Sequence, residues 1–175
     1  MAISPEVRLC VRQRAHFACE YCGVSETDTG SELTIDHFQP HTKGGQDDVN
    51  NLLYCCARCN QYKADYWPVE ASDPMLWNPR QEVFETHFLM LTDGKLYAIT
   101  ATGEFTLNRL RLNRSPLIHH RLRKQHYLEE TRLLKQHQQI MDLIEQLQQQ
   151  QIALLEEQRL LLEQQRALLQ LLLNR

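Results

Sequence analysis

Long apolar runs are missing from this chain, and with them a class of protein. No stretch approaches the roughly 20 apolar residues that a membrane-spanning helix needs. The opening segment MAISPEVRLC has no apolar signal-peptide core, so a cytoplasmic, reducing location and no membrane partner are expected. An excess of positive charge is missing too. The formal net charge is -3 at pH 7, so no global field announces a polyanionic partner. Glycine and proline are absent from one end: after Pro116 neither occurs in 59 residues, and nothing there breaks a long helix.

What is present begins with six cysteines. In a reducing compartment, paired CxxC units favour a metal over disulfides. Cys19/Cys22 and Cys56/Cys59 stand 33 residues apart and suit a tetrahedral tetrathiolate Zn²⁺ site. Such a site has no open position, so its role is folding rather than catalysis. Cys55, beside Cys56, leaves a second register open; Cys56/Cys59 keeps the two-residue spacing and puts Asn60 next on the following helix. Cys10 is expected to be a small buried hydrophobe.

Along the chain, Ser4-Pro5-Glu6 reads as a helix start, and Val7, Val11 and Ala15 mark its apolar stripe to about Ala18. Val24 to Glu32 is polar and reads as a loop. Leu33 to Ile35 is a short strand. The glycine-rich segment from Pro40 to Asp48 is a structured loop, and Asn51 to Cys55 is a second strand closing an antiparallel hairpin. A helix opening at Cys56 is expected to end near Trp67-Pro68. Beyond irregular residues 69–80, a second hairpin pairs Phe84–Leu91 with Lys95–Thr100, followed by a short helix over Phe105–Leu112. His87, among apolar neighbours, reads as a satisfied core histidine. The class is α+β, divided into a core (1–68), an appended hairpin–helix module (69–116) and a long helix (117–175).

The chemistry concentrates between Asp36 and Lys63. Cleaving a phosphodiester requires a nucleophile, neutralised charge on the phosphate and a stabilised leaving oxygen. A hard cation such as Mg²⁺ or Mn²⁺ supplies the last two and prefers oxygen ligands. Asp36 offers a carboxylate at the end of the first strand and Asn60 an amide oxygen from the helix; both reach one ion if hairpin and helix pack together. An imidazole, with an unperturbed pKa of ~6.5, suits a general base, and His37 supplies one beside Asp36. Asn51 is suited to holding the loop, and through it His37, by hydrogen bonds. Lys63, one turn beyond Asn60, is placed to meet a phosphate oxygen. His16 and His41 are read as non-ligands, His41 being either a DNA contact or an exposed bystander.

Asp36-His37, Pro40, Gly44-Gly45, Asn51-Leu52 and the run from Cys56 to Lys63, preceded by Arg14 to Gly23, resemble the HNH endonucleases, also called His-Me finger or ββα-metal nucleases. The likeness covers residues 8–66. It continues more weakly through Trp77-Asn78-Pro79-Arg80, His87-Phe88, Gly94, Thr100, Gly103 and Leu112-Asn113, which is similar to a small appended module in some members. The resemblance implies that His37 activates water, that Asp36 and Asn60 hold the single catalytic ion, and that Asn51 orients the base. Asn60 stands where some members carry a third His, and imidazole would tolerate softer ions better, so the metal preference stays open. Products with 5′-phosphate and 3′-hydroxyl ends are implied.

Two features lie outside that pattern. Leu133, Ile140, Leu147, Leu154, Leu161 and Leu168 recur every seven residues, the seam of a coiled coil. The companion seam is poorer, with His137, Gln151, Gln158 and Gln165 beside Ile144 and Leu172, while Leu134, Met141, Leu155, Leu162 and Leu169 widen the stripe. A homodimer through this helix is expected; packing on the chain's own globular part and a partly ordered Leu/Gln-rich tail are the alternatives. From Arg109 to Lys135, eight Lys/Arg face two Glu. That run is either a solvated face or a phosphate-contacting patch led by Arg121, Arg123 and Lys124. The expected function is a metal-dependent DNA endonuclease; the alternative is a zinc-stapled nucleic-acid-binding module without cleavage, recruiting partners through its last helix.

Overall fold

The computed structural model describes residues 3–173, with side chains as far as Gln170. They fall into two compact units divided between Lys124 and Gln125. The second unit is the continuation of one helix, α6 (Ser115–Leu173). Among the described residues no helix is long and apolar enough to cross a membrane.

The first unit opens with α1 (Pro5–Arg14), where Ser4 caps the Val7 amide and proline takes the first helical position, as its missing N–H allows. The helix stops before Ala18 because His16 (φ 50°) and Phe17 (φ 57°) turn left-handed and send the chain back into the first cysteine knuckle. Val11 is fully buried, with Val7 and Ala15 packed beside the core. Cys10, expected inside, is exposed, about 100° around the helix from Val11. The segment expected as a loop contains α2 (Glu26–Thr29), opened by a reciprocal capping box between Ser25 and Asp28.

Strands β1 (Thr34–His37) and β2 (Leu52–Cys55) pair antiparallel, Asp36 opposite Leu53 and His37 opposite Leu52. β2 is buried throughout, as a strand covered on both faces must be. Arg14 of α1 donates to the Val49 and Leu52 carbonyls at 2.7 and 2.6 Å, holding the hairpin's return limb. The site helix α3 (Ala57–Lys63) follows, ending at Ala64, whose φ of 52° forbids another turn; this is earlier than the Trp67 boundary expected. The ββα arrangement expected from the sequence is thus present.

The appended residues form α4 (Phe84–His87), a hairpin of β3 (Phe88–Met90) and β4 (Leu96–Ala98), and α5 (Ala101–Arg109). They share one apolar core with the ββα elements. Trp77 joins the two parts: its ring meets Tyr21, Phe84 and Phe88 edge-on at 6.3, 5.6 and 5.4 Å. His87 is buried, with Nδ1 on Thr100 Oγ1 at 2.6 Å and Nε2 on Glu82 Oε1 at 3.2 Å, a satisfied core histidine. Arg109 donates to the Lys63 carbonyl at 3.1 Å, closing the C-terminal end of α3 while stacking on Tyr66. The module therefore buttresses the end of the site helix.

Candidate metal and nuclease site

Four sulfurs meet first. One ligand atom each from Cys19, Cys22, Cys56 and Cys59 lies within 4.8 Å of all the others, and Cys22 Sγ is 3.7 Å from Cys56 Sγ. Thiolates at ~2.3 Å from a tetrahedral ion stand roughly 3.8 Å apart, so this cluster has the dimensions of a metal site. Cys55 lies on β2 outside it, which settles the register in favour of Cys56. Four thiolates around a divalent ion carry excess negative charge, and Arg114 supplies a guanidinium 3.7 Å from Cys59 Sγ. Hydrogen bonding from Cys22 draws the Cys19 thiol well below its ordinary pKa, while donation to Cys19 pushes Cys22 and Cys59 up. A cation is what lets all four sulfurs ionise together. The knuckles join the turn after α1 to the start of α3.

Strand alternation turns neighbouring side chains to opposite faces. Thr34 and Asp36 face α3: Asn60 Nδ2 donates to Thr34 Oγ1 at 3.4 Å, and Lys63 Nζ lies 3.1 Å from Asp36 Oδ2. Asn60 and Lys63 are one turn apart on α3, so both metal-ligand candidates belong to the same β1–α3 interface. Burial pushes the Asp36 carboxyl up against the opposing pull of Lys63. Asp36 Oδ2 is buried and has the ion pair but no aligned hydrogen bond, an acceptor short of a partner.

Lys63 differs from the expectation. It has no exposed surface, and its ammonium donates to the His37 carbonyl at 2.7 Å as well as pairing with Asp36. It cannot reach a phosphate from there. The sequence spacing put it on the correct helix face, but that face is covered.

His37 meets the hairpin loop instead. Its Nε2 is 2.7 Å from Asp47 Oδ1, and His41 Nε2 is 2.8 Å from the same oxygen. The two imidazole centroids are 4.1 Å apart. Hydrogen bonding from His37, then from His41, holds the Asp47 carboxyl below its ordinary range. Asp47 and this use of His41 were not read from the sequence; a four-residue His-to-His spacing on a polar loop was the available sign.

The loop is held closed by Asn51. Its Oδ1 accepts from the Gln39 amide at 2.8 Å, and its Nδ2 donates to the Gln39 and Gln46 carbonyls at 3.1 and 2.9 Å. The two glycines serve the same closure. Gly44 sits at φ +84°, and a Cβ on Gly45 would lie 1.8 Å from the Gln39 oxygen. The 3-10 turn His41–Lys43 rides on this closed loop.

The basic run divides. Arg121 is buried, donating to the Gly94 carbonyl at 2.6 Å and, from Nη2, to Leu112 O at 2.9 Å and Asn113 Oδ1 at 3.2 Å. This corrects the expectation that it contacts phosphate: its donors are spent on carbonyls that turns and helix ends leave unpaired. Arg123 and Lys124 are exposed. Arg123 lines a cleft of about 680 Å³ with Arg58, Arg114 and Tyr62, on the cysteine side of α3 and away from His37.

Comparison with known proteins agrees with this geometry. Residues 19–65 match the family model for HNH endonuclease. The Septu protein PtuA of Bacillus mycoides (strain KBAB4) is 26% identical over 140 residues, covering 63% of this chain. The aligned region is 19% of that relative's length, so the chain spans a small part of it. With its ββα order, the Asp-His strand end and four clustered cysteines, the stretch 19–65 is an HNH endonuclease domain.

Proposed function

We propose that the chain is a Mg²⁺- or Mn²⁺-dependent DNA endonuclease with His37 as its general base. The observation that carries this reading is the layout of the strand end. An underpartnered buried carboxylate and a helix amide share one interface, while the next imidazole meets a separate, rigid loop. Asp36 and the Asn60 amide oxygen are the donors a hard cation prefers. Bound there, the ion would neutralise phosphate charge and stabilise the leaving 3′ oxygen.

The chain's own residues do the rest. Asp47 accepts the Nε2 proton of His37, which leaves Nδ1 as the lone pair that takes the proton of the attacking water. Asn51 keeps Asp47 and His37 on a closed loop. Lys63 anchors the His37 carbonyl and the Asp36 carboxylate to α3, acting on position rather than on substrate. The four-cysteine site, holding Zn²⁺, ties α3 to the knuckle. Arg123 and Lys124 offer the exposed charge for added phosphate contacts. A dimer through α6 would bring two such sites to one duplex.

The test is plasmid nicking with Mg²⁺, with end-group mapping. His37→Ala is expected to lower the rate by about 10²–10⁴-fold, with far-UV circular dichroism unchanged. Equal rates for wild type and variant would overturn the role of His37, and DNA binding without nicking by either would favour a binding module.

A further inference from the structure

We propose that His37, His41 and Asp47 form a second metal site, selective for Zn²⁺-class transition ions, whose filling disables the nuclease by consuming its base. The inference rests on His37 being that base. Two imidazole Nε2 atoms and one carboxylate oxygen lie within 4.8 Å of one another, the only such group among the described residues besides the four cysteines. Both nitrogens aim at a single point, Asp47 Oδ1, at 2.7 and 2.8 Å. Ligands on a tetrahedral ion at ~2.1 Å stand about 3.4 Å apart, so an opening of roughly 0.6–0.7 Å between each imidazole and Asp47 admits one.

The scaffold is already built. Asn51 bonds the loop at Gln39 and Gln46, and Gly45 lets the two limbs touch, so the cost of ordering the ligands is met before an ion arrives. His37 is half-buried while His41 and Asp47 are exposed, leaving the site open to solvent. Two imidazoles and one carboxylate suit zinc or nickel; Mg²⁺ prefers oxygen and is not drawn to them.

The consequence follows from counting protons. A neutral imidazole has one N–H and one lone pair. In the working state the N–H points from Nε2 to Asp47 and the lone pair is on Nδ1. An ion on Nε2 takes the lone pair there, so the proton leaves Nε2 to solvent and another is taken up at Nδ1. No net charge changes on the ring, yet Nδ1 can no longer accept the proton of water. The soft-ion site and the hard-ion site share a strand end but no ligand: one uses His37, the other Asp36.

Calorimetric titration of Zn²⁺ into the 175-residue chain with its four-cysteine site already filled tests this, together with ring Cε1–H spectra. One further equivalent is expected, with the His37 and His41 signals moving together. His41→Ala and Asp47→Asn should weaken it at least about tenfold, the scale on which even a supporting group of a metal site acts. In plasmid nicking with Mg²⁺, the Zn²⁺ concentration that halves each protein's own rate should rise by a similar factor in both variants. No further equivalent in wild type, or binding unchanged in both variants, would overturn the site. Binding as expected with no inhibition would overturn the switch. Absence of nicking by every protein would instead refute the nuclease reading, while the titration still reports on the site.

Discussion

Lys63 has an ammonium with no path to water, and its replacement tests what it does. Removing it strands Asp36, itself largely buried, without a counter-charge. Lys63→Ala is expected to cost about 3–5 kcal/mol in urea unfolding, the range for breaking a buried pair by deleting one partner. Removing both charges, with Lys63→Met and Asp36→Asn together, should cost less than the single change, because no orphaned carboxylate remains. An additive double variant would show that the pair contributes nothing. Asp36, His37, Asn51 and Asn60 were all legible as residue types at a spacing. That Lys63 and Arg121 face inward was not: a cation on a helix reads the same in sequence whether carbonyls or solvent surround its head group. Asp47 was hidden for a related reason, since its contact with His37 depends on a loop whose path no periodicity encodes.

At the level of elements, short segments gain their order from contacts made across the chain. α2 is four residues long, too short to persist alone. It is held by Glu26, whose carboxylate receives the Arg12 guanidinium at 2.5 and 2.7 Å and also the Tyr54 hydroxyl. Arg12 foremost, then Tyr54, holds the Glu26 carboxyl below its ordinary range. A carboxyl depressed in the folded state adds stability above its unfolded pKa, about 4.3, and loses it as pH falls through the folded value. Glu26→Gln should therefore lower the melting temperature at pH 7, and the gap to wild type should close as the pH drops below the ordinary carboxyl range. A gap independent of pH would mean the charge is not what matters. The helix start at Ser4-Pro5 and the hairpin turn at Asp93-Gly94 were foreseen from their capping and turn residues, but Phe84–His87, expected as strand, is helical, and α5 begins at Ala101 rather than at Phe105. α2 was missed because its support comes from α1 and β2, and the ends of α1 and α3 moved inward because His16, Phe17 and Ala64 adopt positive φ that no side chain announces.

For the whole molecule, the second unit poses the open question of partnership. Leu133, Ile140, Leu147, Leu154, Leu161 and Leu168 are each between 52 and 61% exposed, a continuous apolar seam along the helix. Leu172 of the companion seam lies outside the described side chains. A homodimer would cover such a seam, since its heptad already matches itself. Light scattering at micromolar concentration should give twice the chain mass for wild type and the single mass for Leu147→Lys with Leu154→Lys. A monomeric wild type would reject the dimer.

Sequence alone determined what local rules can carry: a ligand spacing that works for thiolates, a strand that ends on Asp-His, glycines at a tight loop, and a heptad free of helix breakers. These are properties of neighbours along the chain, set by backbone sterics and side-chain chemistry. Tertiary structure alone decided which charges are inside, which cysteine of an adjacent pair enters the cluster, and that His41 and Asp47 converge on His37. Those outcomes depend on desolvation and on distances between segments far apart in the chain, and neither is written in any single stretch of it.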